Sequence, residues 1–314
     1  MVKTFLVGIL SCACLLGSAH AQVAQKTSTA DSSSVERGIK LTEKGDCKTA
    51  LPLLKNNAAR VADKQLKYHA LMALSRCAMG VGQNDMAVNT LLTLNREFPH
   101  DPETLYIATH FYSELASRAS QELLATAPSS YQVHKLNAEG LESQGKWDEA
   151  IAEYRKILEQ NPELPEIHYR IGRIYLAQPG SVPSGDDAIK QFQEELKVDP
   201  NNASAEFMLG EIARQAGQWD TASQHFTRST QLDAGFSEAY LALGMSLCSA
   251  GNFAQAISPL EKYVRMEDGD PAGHYQLAIA YARTGNKDGA QREMARQTEL
   301  TKASGGASPA DSAH

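Results

Sequence analysis

The sequence reads ASAEFMLGEIARQAGQWDTASQHF at 203–226, SEAYLALGMSLCSAGNFAQAISPL at 237–260 and PAGHYQLAIAYARTGNKDGAQREM at 271–294. Small residues return at the same three places in each stretch, always 34 residues apart. They are Gly210, Gly244 and Ala278, then Gly217, Gly251 and Gly285, then Ala222, Ala256 and Ala290. A period of this length, repeated without gaps, is typical of stacked helix–turn–helix repeats.

Each of these repeats contains two stretches with the apolar spacing of a helix. In the second repeat, Tyr240, Leu243 and Leu247 follow one helical face. Gly251 stands where the first helix should end, as glycine does in a left-handed cap. A glycine inside a helix, such as Gly244, costs about 1 kcal/mol relative to alanine, so its recurrence predicts that two helices approach closely there. A single hairpin cannot bury its apolar face, so neighbouring repeats must stack to complete a core.

The pattern resembles the tetratricopeptide repeat (TPR) family, in an exported bacterial form. The residues that carry the resemblance are Leu209, Gly210, Gly217, Trp219, Ala222 and Phe226 in one repeat, and Gly145, Trp147, Ala150, Tyr154 and Pro162 in another. The resemblance implies an all-α fold, a right-handed superhelical solenoid of about seven TPR helix–turn–helix repeats over residues 34–302. The segment 101–128 has helical spacing but no inter-helix glycine. We interpret it as a degenerate repeat, and we expect one repeat fewer if it is not one.

The first 21 residues have the three parts of a secretory signal. Lys3 supplies the charged start, an apolar run follows, and residues 19–21 (Ala-His-Ala) place small residues at the cleavage-site positions. We therefore expect a signal peptide over 1–21 and an exported protein, periplasmic or extracellular. A lipoprotein signal ending at Cys12 is the alternative interpretation.

The segments that flank the predicted repeats have little apolar surface to bury. Residues 22–33 and 303–314 are rich in serine, threonine and alanine, which predicts a flexible leader and a disordered tail. Beyond the signal, no run of 18 consecutive apolar residues occurs, so the sequence predicts no membrane span.

Three cysteines remain after the expected removal of the signal. Cys47 opens the second helix of the first repeat, and Cys77 lies near the end of the first helix of the next repeat. These helices should be antiparallel neighbours in an exported, disulfide-permissive protein, so we predict a Cys47–Cys77 disulfide. Two small buried apolar residues are the alternative. Cys248 has no predicted partner, and we interpret it as an inert, partly buried thiol.

Charge and motifs argue against nucleic-acid binding and catalysis. The chain has 30 basic and 37 acidic residues, a net charge of −7, and no basic patch, which is unlike a nucleic-acid-binding domain. The sequence contains no zinc-protease motif, phosphate loop, dinucleotide fingerprint or nucleophile elbow. We predict a protein that is not an enzyme and needs no cofactor or metal. The alternative is an accessory or degenerate hydrolytic enzyme, with an unrecognised site near the long Pro- and Gly-rich loop at 177–185.

Three histidines occupy equivalent places in three first helices: His134, His168 and His274. We interpret them as structural replacements for the bulky residue of that position rather than as metal ligands.

The resemblance also implies where a partner binds. In TPR proteins the first helices line a concave groove, which takes an extended peptide or a partner helix. The predicted groove residues are Tyr169, Arg173, Phe207, Glu211, Arg214, Tyr275 and Arg283, with Gln132, Lys135, Glu139, Leu241, Met245 and Ile279 beside them. Aromatic rings bury area and guanidinium groups bind carboxylates, although a mixed solvated face is the alternative. We therefore predict a non-catalytic protein–protein interaction scaffold whose partner is a protein or peptide.

Overall fold

A computed structural model of the chain describes residues 32–178, 185–303 and 305. These residues contain fifteen α-helices and no β-strand. The predicted signal peptide, most of the predicted leader and most of the predicted tail lie outside the described residues. Residues 179–184 of the long loop lie outside them as well. None of the described helices is long and apolar enough to cross a membrane.

The helices form two compact units, one up to Leu123 and one from Leu124 onward. The N-terminal unit contains two hairpins and a single helix. Its helices are α1 (Ser32–Glu43), α2 (Cys47–Lys55), α3 (Lys64–Gly80), α4 (Asn84–Glu97) and α5 (Pro102–Thr126), of which α5 runs across the boundary; a short 3₁₀ turn covers Ala58–Arg60.

The C-terminal unit contains five consecutive hairpins. Its helices are α6 (Tyr131–Ser143), α7 (Trp147–Gln160), α8 (Ile167–Ala177), α9 (Asp186–Val198), α10 (Ala203–Gln215), α11 (Trp219–Leu232), α12 (Ser237–Ser249), α13 (Phe253–Met266), α14 (Pro271–Arg283) and α15 (Lys287–Ala303). Each first helix packs on its own second helix, and each second helix packs on the first helix of the next hairpin. This confirms the predicted all-α fold of helix–turn–helix hairpins, which stack as a solenoid in this unit.

The segment 101–128 is not a hairpin. Residues 102–126 form one continuous helix, α5, of 25 residues, so the interpretation as a degenerate repeat was wrong. Without a glycine to adopt a positive φ, nothing stops the first helix where the inter-helix turn should be. The described helices outside α5 nevertheless supply seven hairpins, so the expected loss of one repeat was also wrong and the count of about seven holds.

The inter-helix glycines end the first helices as the sequence predicted. Gly217, Gly251 and Gly285 have φ values of 71°, 81° and 86°. A residue with a Cβ is strained in that left-handed region, whereas glycine is not. The turn is therefore only a few residues long, and the second helix packs antiparallel to the first.

In four of the hairpins, a glycine of the first helix lies against a bulky residue of the second helix: Gly38 against Leu54, Gly172 against Phe192, Gly210 against Phe226 and Gly244 against Leu260. A Cβ on Gly210 would meet Phe226 Cε1 at 2.6 Å, and one on Gly244 would meet Leu260 Cδ2 at 2.4 Å. Phe226 and Leu260 are fully buried. Close approach of the helices therefore depends on the missing side chain, which confirms the reason inferred for the helical glycines.

Gly210→Ala should destabilise the C-terminal unit by about 1–3 kcal/mol, because the new methyl group overpacks the contact with Phe226. Urea unfolding followed by circular dichroism measures the change. Gly140→Ala is the matched control, since Gly140 also lies inside a first helix but a Cβ there meets nothing within 4 Å. The control should be neutral or more stable by up to about 1 kcal/mol. Equal effects of the two variants would contradict the packing argument.

A disulfide joins the first two hairpins. Cys47 begins α2, Cys77 lies in the last turn of α3, and their Cα atoms are 5.0 Å apart. The bond closes a loop of 30 residues. Such a crosslink stabilises chiefly by restricting the unfolded chain, by about 3–4 kcal/mol for a loop of this length.

Mass spectrometry without reductant tests this bond. We expect iodoacetamide to label Cys248 after denaturation and to leave Cys47 and Cys77 unlabelled until a reductant is added. Cys248 is a free, half-buried thiol and serves as the internal control for labelling. Two alkylated thiols at 47 and 77 in the unreduced protein would rule the disulfide out.

Candidate functional site

The candidate site is the first-helix face, defined as the outward side chains of α6, α8, α10, α12 and α14. Every predicted groove residue lies on one of these five helices. The face belongs to the C-terminal unit alone. Its chemistry changes along the stack, from charged side chains on α6 and α8 to apolar ones on α12 and α14.

On α6 and α8 the charged side chains bind one another. Lys135 Nζ donates to Glu166 Oε2 at 2.7 Å, and Arg170 donates to Glu166 Oε1 at 2.9 and 3.0 Å. Arg170 also lies 3.6 Å from Glu139. The hydrogen bonds from Lys135 and Arg170 hold the pKa of Glu166 below its usual range. This network links two successive first helices and occupies Lys135 and Glu139, which the sequence placed in the groove.

Tyr169 and Arg173 lie one turn apart on α8. The Tyr169 ring packs against Phe192, with ring centroids 5.7 Å apart. The Arg173 guanidinium lies 6.0 Å from the Tyr169 ring centroid, and its side chain is exposed. Among the described residues no carboxylate pairs with Arg173. It is therefore a cation supported by an aromatic ring and open to a ligand carboxylate.

The predicted groove residues on α10 already contact other side chains of the chain, which the sequence did not predict. Phe207 is half-buried between Phe226 and Phe236, with centroids 5.5 and 4.8 Å away. Arg214 donates two hydrogen bonds to Glu211, at 3.0 and 2.7 Å, and the bond from Arg214 to Glu211 raises the pKa of the arginine. Glu211 and Arg214 neutralise each other, so this pair contributes little net charge to the face.

The apolar end of the face lies on α12 and α14. Leu241 and Met245 on α12 and Ile279 on α14 are half-buried, whereas Tyr275 is 46% exposed. Arg283 stacks on Phe253, its guanidinium 4.3 Å from the ring centroid. Arg283 therefore covers the start of α13 beside the inter-helix turn.

Cys248 lies on the same helix as Leu241 and Met245. It is free and half-buried, and burial raises the pKa of its thiol. A raised pKa lowers the thiolate fraction, and the thiolate is the reactive form. This agrees with the interpretation of Cys248 as an inert thiol.

The histidines noted in the sequence form cross-hairpin pairs. Nδ1 of His134 lies 2.7 Å from Glu153, that of His168 2.8 Å from Gln191, and that of His274 2.6 Å from Glu293. In the α10–α11 hairpin the two residue types exchange helices, so Glu206 on α10 binds His225 on α11 at 2.7 Å. Each pair clamps a first helix to its second helix, which assigns these histidines a structural role. The partners were not predicted from the sequence, although three of the four pairs are 19 residues apart and the His168–Gln191 pair is 23 apart.

Glu195 is the functional residue of this region that the sequence analysis missed. It lies on α9 and is completely buried. Its carboxylate accepts hydrogen bonds from the backbone N–H groups of Glu166 and Tyr169, at 2.6 and 3.1 Å, and from the side-chain amide of Asn202 at 3.1 Å. Glu166, the residue before α8, has a φ of 79° and makes no side-chain cap. Glu195 thus caps α8 from the neighbouring helix and fixes the helix that carries Tyr169 and Arg173.

Glu195→Ala should destabilise the C-terminal unit by about 2–4 kcal/mol, because two backbone N–H groups lose their buried acceptor. Glu195→Gln keeps one acceptor oxygen and should cost less. Glu194→Ala is the matched control, since Glu194 is the adjacent residue and pairs only with Lys197 at the surface. Thermal unfolding compares the three variants, and equal losses for Glu194→Ala and Glu195→Ala would contradict the capping role.

The described residues contain no group of three or more histidine, cysteine, aspartate or glutamate side chains that could hold a metal ion. The hydrolytic site considered near 177–185 falls on a loop whose residues 179–184 lie outside the described part of the chain.

Family models match three segments of the C-terminal unit. Residues 142–178 match the model described as TPR repeat, and residues 185–235 and 241–298 match the one described as tetratricopeptide repeat. The matched segments begin near the end of α6 and run into α15. They show that this unit is built of TPR repeats.

Two curated relatives share part of this sequence. The chain is 27% identical over 149 residues to the probable UDP-N-acetylglucosamine–peptide N-acetylglucosaminyltransferase SPINDLY of Hordeum vulgare. That match covers 45% of this chain and 15% of the relative. The chain is also 30% identical over 76 residues to Superkiller protein 3 of Saccharomyces cerevisiae, which is 24% of this chain and 5% of the relative. The matches thus span only a small part of either relative.

Among solved structures, the chain is similar to YrrB, described as a TPR protein with an unusual peptide-binding site. The identity is 21% and the TM-score is 0.50, over 59% of this chain and 93% of YrrB. At this identity the similarity shows the fold.

Proposed function

We propose that this chain, which carries TPR repeats over much of 142–298, is a non-catalytic protein–protein interaction scaffold. Its first-helix face binds a peptide or a partner helix. The similarity to YrrB, a TPR protein with a peptide-binding site, supports this type of ligand. TPR repeats generally serve as scaffolds, which supports a role without catalysis.

Arg173 is the observation that carries the proposal. Its neighbours Arg170 and Arg214 are already bound to carboxylates of the same chain, whereas Arg173 is exposed and lies over Tyr169. A guanidinium beside a ring can bind the carboxylate of an aspartate, of a glutamate or of a peptide C-terminus by donating hydrogen bonds to it. Tyr275 and the half-buried Leu241, Met245 and Ile279 then provide apolar surface for the rest of the ligand.

We further propose that the protein is exported to the cell envelope, where it is periplasmic or extracellular. The signal-like pattern at 1–21 supports this location. The proximity of Cys47 and Cys77 also suits an oxidising compartment. Cell fractionation with N-terminal sequencing tests the proposal, and a cytoplasmic protein that retains residues 1–21 would contradict it.

Arg173→Glu should reduce partner recovery from envelope fractions about tenfold or more. The change replaces the arginine that is proposed to bind a carboxylate of the partner, and the new glutamate repels that carboxylate. Affinity capture followed by quantitative mass spectrometry measures the loss. The matched control is Arg228→Glu, which makes the same charge change at an exposed position on a second helix, α11. The control should recover the same partners as the wild type. Equal recovery by both variants would contradict recognition through the first-helix face.

A further inference from the structure

The single helix α5 presents an apolar face that other first helices bury. Its N-terminal half packs on the N-terminal unit through Thr104 and Phe111, which are buried. On a different side of α5, Leu105 is 45% exposed and Tyr112 is 37% exposed. The exposed side continues toward the C-terminal end of the helix, where Ala116 and Ala119 are also exposed.

Comparison with α14 explains why this face is uncovered. Both helices begin with the dipeptide Asp-Pro, at 101–102 and 270–271. Counted from that dipeptide, Leu105 and Thr109 correspond to His274 and Ala278. Those two residues of α14 are 4% and 2% exposed, because α14 packs on its own second helix, α15. The helix that follows α5 is α6, which pairs with α7, so α5 has no second helix of its own.

Six uncharged residues on one side of α5 form a regular seam. Leu105, Thr109, Tyr112, Ala116 and Ala119 are exposed and Leu123 is half-buried. These six residues alternate in steps of four and three, the spacing of a helix that packs along another helix. The seam is about 27 Å long at 1.5 Å per residue. The hydroxyl of Thr109 donates to the Leu105 carbonyl at 2.8 Å, which leaves its methyl group free to pack.

The seam carries no charge. Glu103 pairs with Arg76 and Glu114 pairs with Arg118, at 2.7 and 2.8 Å, and all these groups lie off the seam. The whole chain has a net charge of −7, so two copies repel each other on average. A neutral strip is therefore where two copies come together at the least electrostatic cost.

The side chains of the seam are self-complementary when two copies of α5 run antiparallel. In an antiparallel pair centred on residue 114, Leu105 faces Leu123 of the other copy, Thr109 faces Ala119, and Tyr112 faces Ala116. The large tyrosine meets a small alanine at the centre, and leucines close both ends. Large-to-small pairing of this kind lets two helices approach closely.

We propose that α5 is a homodimerisation helix, which pairs antiparallel with α5 of a second copy along the seam 105–123. Each copy supplies the helix that the other lacks. The interface is isologous, with the two-fold axis near residue 114. This proposal concerns the N-terminal unit and does not depend on ligand binding at the first-helix face.

Sedimentation velocity of the purified full chain tests the proposal. We expect a dimer at micromolar concentration. Ala119→Glu should weaken dimerisation about 100-fold or more, because an unpaired carboxylate from each copy would be buried. The matched control is Ser117→Glu, which adds the same charge at an exposed position off the seam and should leave the dimer intact. A monomeric wild-type chain would overturn the proposal, and so would a dimer that Ala119→Glu does not weaken.

Disulfide crosslinking tests the antiparallel register independently of stability. In a chain with Cys12, Cys14 and Cys248 changed to serine, we expect Leu105→Cys molecules to crosslink with Leu123→Cys molecules when the two are mixed. Neither variant should crosslink with itself. Self-crosslinking at either position, or none in the mixture, would overturn the antiparallel pair.

Discussion

The contact between a small residue on a first helix and a bulky residue on its second helix sets the geometry of the hairpins. Gly210 against Phe226 and Gly244 against Leu260 bring two backbones closer than any side chain on the first helix would allow. That approach buries the bulky residue completely and leaves the outer sides of both helices for the neighbouring hairpins. The repeat of this contact, more than any single core residue, makes the stack possible.

Polar contacts add a second layer of order to this packing. The histidine pairs across four hairpins fix how each first helix lies on its second helix, and Glu195 fixes the start of α8. Each of these side chains finds a partner on or beside the neighbouring helix, as the cost of an unpaired buried group requires. The first-helix face is therefore presented by rigid elements, which favours recognition without rearrangement.

The first-helix face and α5 differ in the kind of group that lacks a partner within the chain. On the first-helix face most charges are already paired within the chain, and Arg173 and Arg283 are cations that lie over rings and have no carboxylate partner among the described residues. On α5 the unsatisfied feature is apolar area, exposed because the second helix of a hairpin is missing. The two surfaces thus suit partners of different chemistry, an acidic peptide in one case and an uncharged helix in the other.

The sequence alone determined the repeat, because small residues at a period of 34 admit only close-packed helical hairpins, and glycine alone closes the inter-helix turn without strain. It also placed Cys47 and Cys77 at one edge of adjacent helices. Only the tertiary structure decided that 102–126 is one helix, that Arg214 is bound to Glu211, and that Glu195 caps α8. Glu195 binds backbone N–H groups 26 and 29 residues away, and local periodicity carries no information about such partners. Glu211 and Arg214 are only three residues apart on α10, but the folded side-chain geometry decides that they bind each other.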